Sequence, residues 1–325
     1  KNIYIYPIQH FMQWGTPQDL QEYQLWSNTF NSIIKKDTKK DLSNKNYGTL
    51  ILPMAGLGKR FSLSGYKRTK PLIEVSGKPM LIQAVNDLPK FKKNVFVLRR
   101  DMPELEETLQ LIKINYPGAL LKIIPGLNKG QAISVLDGIT SIEQSNIDFK
   151  NYNPLTVSAC DNGVLFNEKD FQELLTNDDS DIIVWGFEGH PNSARNPEMY
   201  GWIDPDEDEI IKSVSVKKSI NSDYSKPIII GTFTFKKINQ LKIIIKKLLE
   251  LDNKINGEYY LDECINIAIK MGLKCKYFKV NNFICWGTPN DLRTFEYWQS
   301  CFHKWHLHEY RIELDDDIPK NKYKF

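Results

Sequence analysis

Thr49-Leu-Ile-Leu-Pro53 is a short apolar strand that runs straight into Met54-Ala55-Gly56-Leu57-Gly58. A strand without polar alternation is buried on both faces, so the chain that contains it needs helices on each side of a sheet. The sequence that follows supplies them. Apolar runs at Asn94–Leu98, Leu120–Ile124, Pro154–Ala159 and Ile182–Trp185 alternate with helical periodicity near Met80–Leu88, Met102–Ile114 and Gly130–Ile139. Strands alternating with helices imply an α/β fold with a mixed, mainly parallel sheet flanked by helices. Farther on, Tyr200-Gly-Trp-Ile-Asp204 and Ile228-Ile-Ile-Gly-Thr-Phe-Thr-Phe235 are richer in turns and strand pairs, which predicts an antiparallel extension. Helices are expected over Ile238–Leu251 and Tyr259–Met271.

The glycine loop points to a ligand class. Gly56 and Gly58 carry no side chain to hold a ligand away from backbone N–H groups, and that favours phosphate. The loop is neither a Walker loop nor the dinucleotide fingerprint, which needs a third glycine. Gly-x-Gly alone also describes a ligand-free strand-to-helix turn. Its continuation is more specific: Gly58-Lys59-Arg60-Phe61, then Lys70-Pro71-Leu72, then Gly77-Lys78-Pro79-Met80. In order and spacing this resembles the signature of the nucleotidyltransferases that make nucleotide sugars and CDP-alcohols, over roughly residues 48–300. The resemblance implies a Rossmann-like (GT-A-like) sheet whose antiparallel extension binds an acceptor. It implies that the phosphate of a sugar phosphate or phospho-alcohol attacks a nucleoside triphosphate and releases pyrophosphate, making a precursor for surface (capsular) polysaccharide.

Both reactants are anions, so positioning and charge neutralisation carry such catalysis. By resemblance, Pro53, Met54, Ala55, Gly56 and Gly58 contact the nucleotide, Arg60 holds the β and γ phosphates, and Lys70 sits between the α-phosphate and the incoming phosphate. Lys67 and Arg68 are near enough to substitute, whereas Lys78 is expected to close a turn. Pro125-Gly126-Leu127-Asn128-Lys129-Gly130-Gln131-Ala132 falls where the family places its nucleobase loop, and the Gln131 amide can read a base edge. A plain helix N-terminus with Gly130 as its joint is the alternative.

The resemblance also implies a magnesium ion. A strand ends in Cys160-Asp161-Asn162-Gly163, where the family keeps a magnesium-binding Asp, so Asp161 is the first candidate for metal and nucleotide. A turn-forming Asp-Asn-Gly is the alternative. Magnesium takes hard oxygen ligands, one or two carboxylates together with phosphates and water. Relatives commonly carry a second carboxylate two residues before a late Gly-Thr turn, and here that position is Cys285, a poor magnesium ligand. Asp262, in Gly257-Glu258-Tyr259-Tyr260-Leu261-Asp262-Glu263, is the nearest replacement, directly or through water, with Glu258 and Glu263 behind it. Tyr200, Gly201 and Lys217 resemble the family's acceptor-binding strand and lysine, although the usual Glu-Lys-Pro is Val216-Lys217-Lys218 here.

The chain also repeats itself. Met12–Trp26 aligns without gaps on Ile284–Trp298, with seven identities in fifteen positions at an offset of 272 residues. Each copy has a Gly-Thr-Pro turn, an Asp near a helix start and an amphipathic aromatic run, and Gln13 stands where the second copy has Cys285. Residues 1–36 are therefore expected to be the C-terminal remnant of an upstream related domain, or a helix packing on the main one. A linker is expected over 37–47, the nucleotidyltransferase domain over 48–310 and a tail over 311–325.

Composition narrows the partners. With 43 basic and 40 acidic residues the net charge is +3, so no global field favours nucleic acid or an acidic membrane. No apolar run reaches the roughly 20 residues of a membrane-spanning helix. Five cysteines without a C-x-x-C pair suggest reduced thiols in the cytoplasm. His303, His306 and His308 form no metal pattern and are expected on a polar helix face. Two other functions stay open. A glycosyltransferase consuming a nucleotide sugar would carry Asp-x-Asp at the metal strand, and a degenerate nucleotide-binding domain is motivated by Cys285.

Overall fold

The computed structural model describes residues 3–35, 47–145, 153–220 and 225–322. Its strands are β1 (Thr49–Pro53), β2 (Glu74–Val75), β3 (Lys78–Pro79), β4 (Lys93–Arg99), β5 (Leu120–Ile124), β6 (Leu155–Val157), β7 (Asn162–Leu165), β8 (Ile182–Phe187), β9 (Gly201–Pro205), β10 (Ile211–Val216), β11 (Ile228–Phe235), β12 (Cys275–Lys279) and β13 (Asn282–Cys285). Its helices are α1 (Pro17–Lys35), α2 (Lys59–Leu63), α3 (Met80–Asn86), α4 (Leu105–Asn115), α5 (Gln131–Glu143), α6 (Glu168–Thr176), α7 (Pro191–Arg195), α8 (Ile238–Glu250), α9 (Leu261–Lys270) and α10 (Pro289–Lys304).

A nine-stranded mixed sheet forms the centre. β1 lies between β4 and β6 and is parallel to both, with β5 parallel beyond β4. β11 runs antiparallel to three strands: β6 and, farther along the same edge, β9 lie on one side of it, and β8 lies on the other, with β12 parallel beyond β8 and β10 antiparallel beyond β9. The α/β class and the antiparallel extension are both present. Both faces are dry. Leu50 and Leu52 pack with residues of α3, α4 and α6, while Ile51 packs with residues of α5, α8 and α9, which is why β1 shows no polar alternation. Each such aliphatic side chain, fully buried, contributes about 1.5–3 kcal/mol relative to exposure.

A third cluster lies outside the sheet, where aromatic side chains of α1 and α10 meet Val75, Met80 and Trp286. Residues 311–322, drawn as a tail from sequence, run along this cluster. Ile312 and Ile318 are buried there, and Asp315 accepts a 2.9 Å hydrogen bond from the Tyr310 hydroxyl. Tyr47, drawn into the linker, is buried and donates to Glu168 at 2.6 Å; residues 37–46 of that linker lie outside the described residues. His308 is not on the polar helix face expected of it. It lies beyond the end of α10, buried and stacked on Phe302 with ring centroids 4.0 Å apart.

The apolar pattern does not announce β7, β12 or β13, which are short and mix polar with apolar residues. The consequence is largest at Asn162 and Gly163. They form a strand rather than a turn, with Asn162 opposite Cys285 across the antiparallel β7–β13 pair.

Candidate active site

Because β1 and β6 are parallel and adjacent, the segments that follow them emerge at the same edge of the sheet, where ligands of open α/β sheets bind. The Met54 N–H donates to the Val97 carbonyl at 2.8 Å, which carries the β1 pairing one residue into the glycine loop. Pro53 is half-buried, Met54 and Ala55 are buried, and Gly56 is exposed. Gly58 has φ of 63°, a left-handed turn that starts α2. Arg60 projects from the exposed side of α2 with no ion-pair partner among the described residues. Arg68, the other arginine of this stretch, is engaged by Glu104 and Glu107 at 2.8 and 2.5 Å. Lys78 faces Asp317 at 3.7 Å, in the hairpin-closing place expected of it.

Lys70 is the hub of the first cluster. Its Nζ donates to Asp161 Oδ2 at 2.5 Å and to the Gly287 carbonyl at 3.3 Å, and it lies 5.6 Å from the centroid of the Phe61 ring. Burial opposes its charge, but Asp161, with Cys160 and Cys285 nearby, outweighs that and holds the pKa above the ordinary lysine value. Lys70 therefore stays an ammonium ion. The Trp286 N–H donates to the Asp161 carbonyl at 2.8 Å, so the second Trp-Gly-Thr-Pro turn is laid directly against this pair. Gly287 keeps this contact open, since a Cβ on it would lie 3.2 Å from Asp161 Oδ2 and 3.4 Å from Cys285 Sγ, and Asp161 would have to give way by tenths of an ångström. Burial, Asp291 and Asp161 push the Cys285 thiol up, so it is a neutral thiol rather than a thiolate.

A second cluster adjoins the first through consecutive residues. Burial, and beyond it the Asp291 carboxylate, push the Tyr200 hydroxyl up, while Gly201 packs so closely on Asp262 that a Cβ would lie 2.7 Å from Oδ2. Burial pushes the Asp262 carboxyl up to about 6, although Lys217 pulls it down. Lys217 has φ of 59°, donates from Nζ to the Met199 carbonyl at 3.2 Å, and lies 5.7 Å from the Tyr260 ring centroid. Burial lowers its pKa, Asp262 offsets this in part, and Arg60 lowers it further. Arg60 thus reaches electrostatically into the cluster that contains Lys217.

Gln131 opens α5 half-buried, and its neighbours tie it to the same place. The Tyr259 N–H donates to the Lys129 carbonyl at 2.8 Å, and the Ala132 N–H donates to the Tyr259 carbonyl at 3.1 Å. The structure therefore brings together Lys70 with Asp161, Lys217 with Asp262 and Gly201, and the Gln131 loop with the segment before Asp262. Sequence reasoning missed Gly287 and Tyr260 as parts of this site. The repeated Gly-Thr-Pro turn was the available signal for Gly287.

Among the described residues no three His, Cys, Asp or Glu side chains converge into a metal-binding group. A neutral Cys285 does not fit magnesium, but Asp161 does. It is a partly exposed carboxylate in a recess that a side chain at Gly287 would fill, and magnesium ordinarily takes its remaining ligands from phosphates and water.

No family model matches the chain. It is 27% identical over 251 residues to the bifunctional protein GlmU of Campylobacter concisus, a match that covers 73% of the chain and 49% of that protein. The chain thus spans about half the length of that curated relative. A nucleoside-diphosphate-sugar pyrophosphorylase from Vibrio cholerae shares the fold with a TM-score of 0.61 and 18% identity, covering 76% of this chain and 98% of that one. An inositol-1-phosphate CTP transferase from T. maritima does so with a TM-score of 0.57 and 16% identity, covering 78% and 96%. The fold is that of the nucleotide-sugar and phospho-alcohol nucleotidyltransferases.

Proposed function

We propose that this chain joins a sugar phosphate or phospho-alcohol to a nucleoside triphosphate with release of pyrophosphate. The observation that carries the reading is the Lys70–Asp161 pair, set at 2.5 Å beside the glycine loop where β1 and β6 end. A phosphate oxygen of the acceptor attacks the α-phosphorus, the bond to the β-phosphate oxygen breaks, and pyrophosphate leaves with the electron pair. Lys70, kept charged, neutralises the two anions as they approach, and Arg60, exposed and without an ion-pair partner among the described residues, takes the leaving phosphates. Lys217 and the Tyr200–Gly201 backbone receive the acceptor phosphate, and Gln131 contacts the base. Asp161 would hold a magnesium ion, which supplies charge neutralisation at the phosphates when bound; Asp262 contributes through water.

The product is an activated donor of the kind a surface polysaccharide consumes, and five unpaired cysteines fit a cytoplasmic setting. The test is pyrophosphate release from each of the four nucleoside triphosphates with a panel of sugar-1-phosphates and phosphocholine, with and without magnesium. At least one magnesium-dependent combination is expected to turn over and to be silenced by Lys70→Ala. No turnover with any combination rejects the reading.

A further inference from the structure

The two repeated segments share more than seven identities. Thr16 Oγ1 donates to Asp19 Oδ2 at 2.8 Å as Thr288 Oγ1 donates to Asp291 Oδ2 at 2.6 Å, and each Asp N–H returns to its threonine hydroxyl at 3.2 Å. Trp14 meets Tyr23 edge-on at 5.3 Å, as Trp286 meets Phe295 at 5.8 Å. Local structure is thus copied along with sequence.

Across the seam between α1 and α10 the contacts come in exchanged pairs. Trp26 lies 6.1 Å from Phe295 at an interplanar angle of 58°, and its counterpart Trp298 lies 6.2 Å from Tyr23, the counterpart of Phe295, at 58°. Phe30 and its own counterpart Phe302 meet each other at 5.7 Å. Residue i touching j while j's counterpart touches i's is the pattern of a two-fold, isologous interface.

The surroundings of the two copies differ. Trp286 and Leu292 are each 1% exposed, whereas Trp14 and Leu20 are 52% and 41% exposed. The same offset places Ile5 and Tyr6 over Tyr277 and Phe278 of β12. The first pair is 92% and 88% exposed, the second 3% and 4%. The exposed apolar stretch is continuous with α1, and so with an interface already formed.

We infer that residues 3–35 are the closing strand and helix of a second unit of this same fold, lying earlier in the same polypeptide, and that the α1–α10 seam is the quasi-two-fold contact between the two units. Ile3–Tyr6 then adds to a β8-like strand of that unit, as β12 adds to β8 here. A second copy of this chain does not fit, because its own β12 and β13 already fill the places that Ile3–Tyr6 and Phe11–Gln13 would take. The occupant is a sheet that lacks its own closing segment, and a unit preceding residue 3 is such a sheet. The inference is independent of the proposed reaction.

The test uses the natural polypeptide extended upstream of Lys1. Its reading frame is expected to encode a strand, a Gly-x-Gly loop and alternating elements that end without a Trp-Gly-Thr-Pro of their own. A frame without that unit, or with its own closing copy, overturns the inference. In the extended polypeptide, amide exchange at Ile5 and Tyr6 should slow by at least about 100-fold relative to the 325-residue chain and approach that at Tyr277 and Phe278. Unchanged exchange overturns the strand pairing. Protection already present in the 325-residue chain and dependent on its concentration would assign the segment to a second copy instead.

Discussion

The first and second copies of the Trp-Gly-Thr-Pro segment have the same cap and the same aromatic contacts, yet only the second lies against the Lys70–Asp161 pair. Gly287 sits over Asp161 and its carbonyl accepts from Lys70, while nothing lies within 4 Å of where a Cβ on Gly15 would be. The difference teaches that the segment is a structural closure, a turn and helix that finish a sheet. It becomes part of a site when the sheet beneath it ends in an aspartate. Cys285 fits this view. Its counterpart Gln13 donates to Asp19 at 3.1 Å and Cys285 approaches Asp291 at 3.6 Å, so both positions serve the cap before anything else.

Four experiments break or sharpen the comparison. The largest effect belongs to the pair that only the second copy covers: Lys70→Ala should lower kcat on the order of 1,000-fold, while Gln13→Ala should leave it unchanged, both read by pyrophosphate release. Next, Trp286→Ala should cost about 3–5 kcal/mol in denaturant unfolding and Trp14→Ala under about 1; equal losses would mean that the two copies are embedded alike. Gly287→Ala should reduce kcat by about 10- to 100-fold through displacement of Asp161, with Gly15→Ala silent. A silent Gly287→Ala would remove the second turn from the site. The smallest difference is at the caps, where Thr288→Ala should cost about 1 kcal/mol and Thr16→Ala less, since its cap is solvent-exposed; thermal melts of the two variants make that comparison.

Much of the fold was legible because its signals are local. The apolar run of β1, the helical periods of α5 and α8, and the strand pair of the extension were read within a residue or a few of their ends, since periodicity and turn residues act over short range. β7 and β13 were not legible. Each is four residues long, and their strand character comes from pairing with each other. That hid the true shape of Asp161-Asn162-Gly163. Arg68 was a candidate phosphate ligand by position alone, and only the place of α4 revealed that Glu104 and Glu107 hold it.

The sequence by itself determined the class of fold, the glycine loop with its basic continuation, and the existence of two matching caps, because each depends on residues near one another along the chain. The tertiary structure decided which of these meet. Lys70 reaches Asp161 across 91 positions and Gly287 across 217, distances closed by strand order and register rather than by any local preference. It also decided that one Trp-Gly-Thr-Pro turn lies over a carboxylate and the other faces solvent, since burial depends on what else the chain brings to the same place.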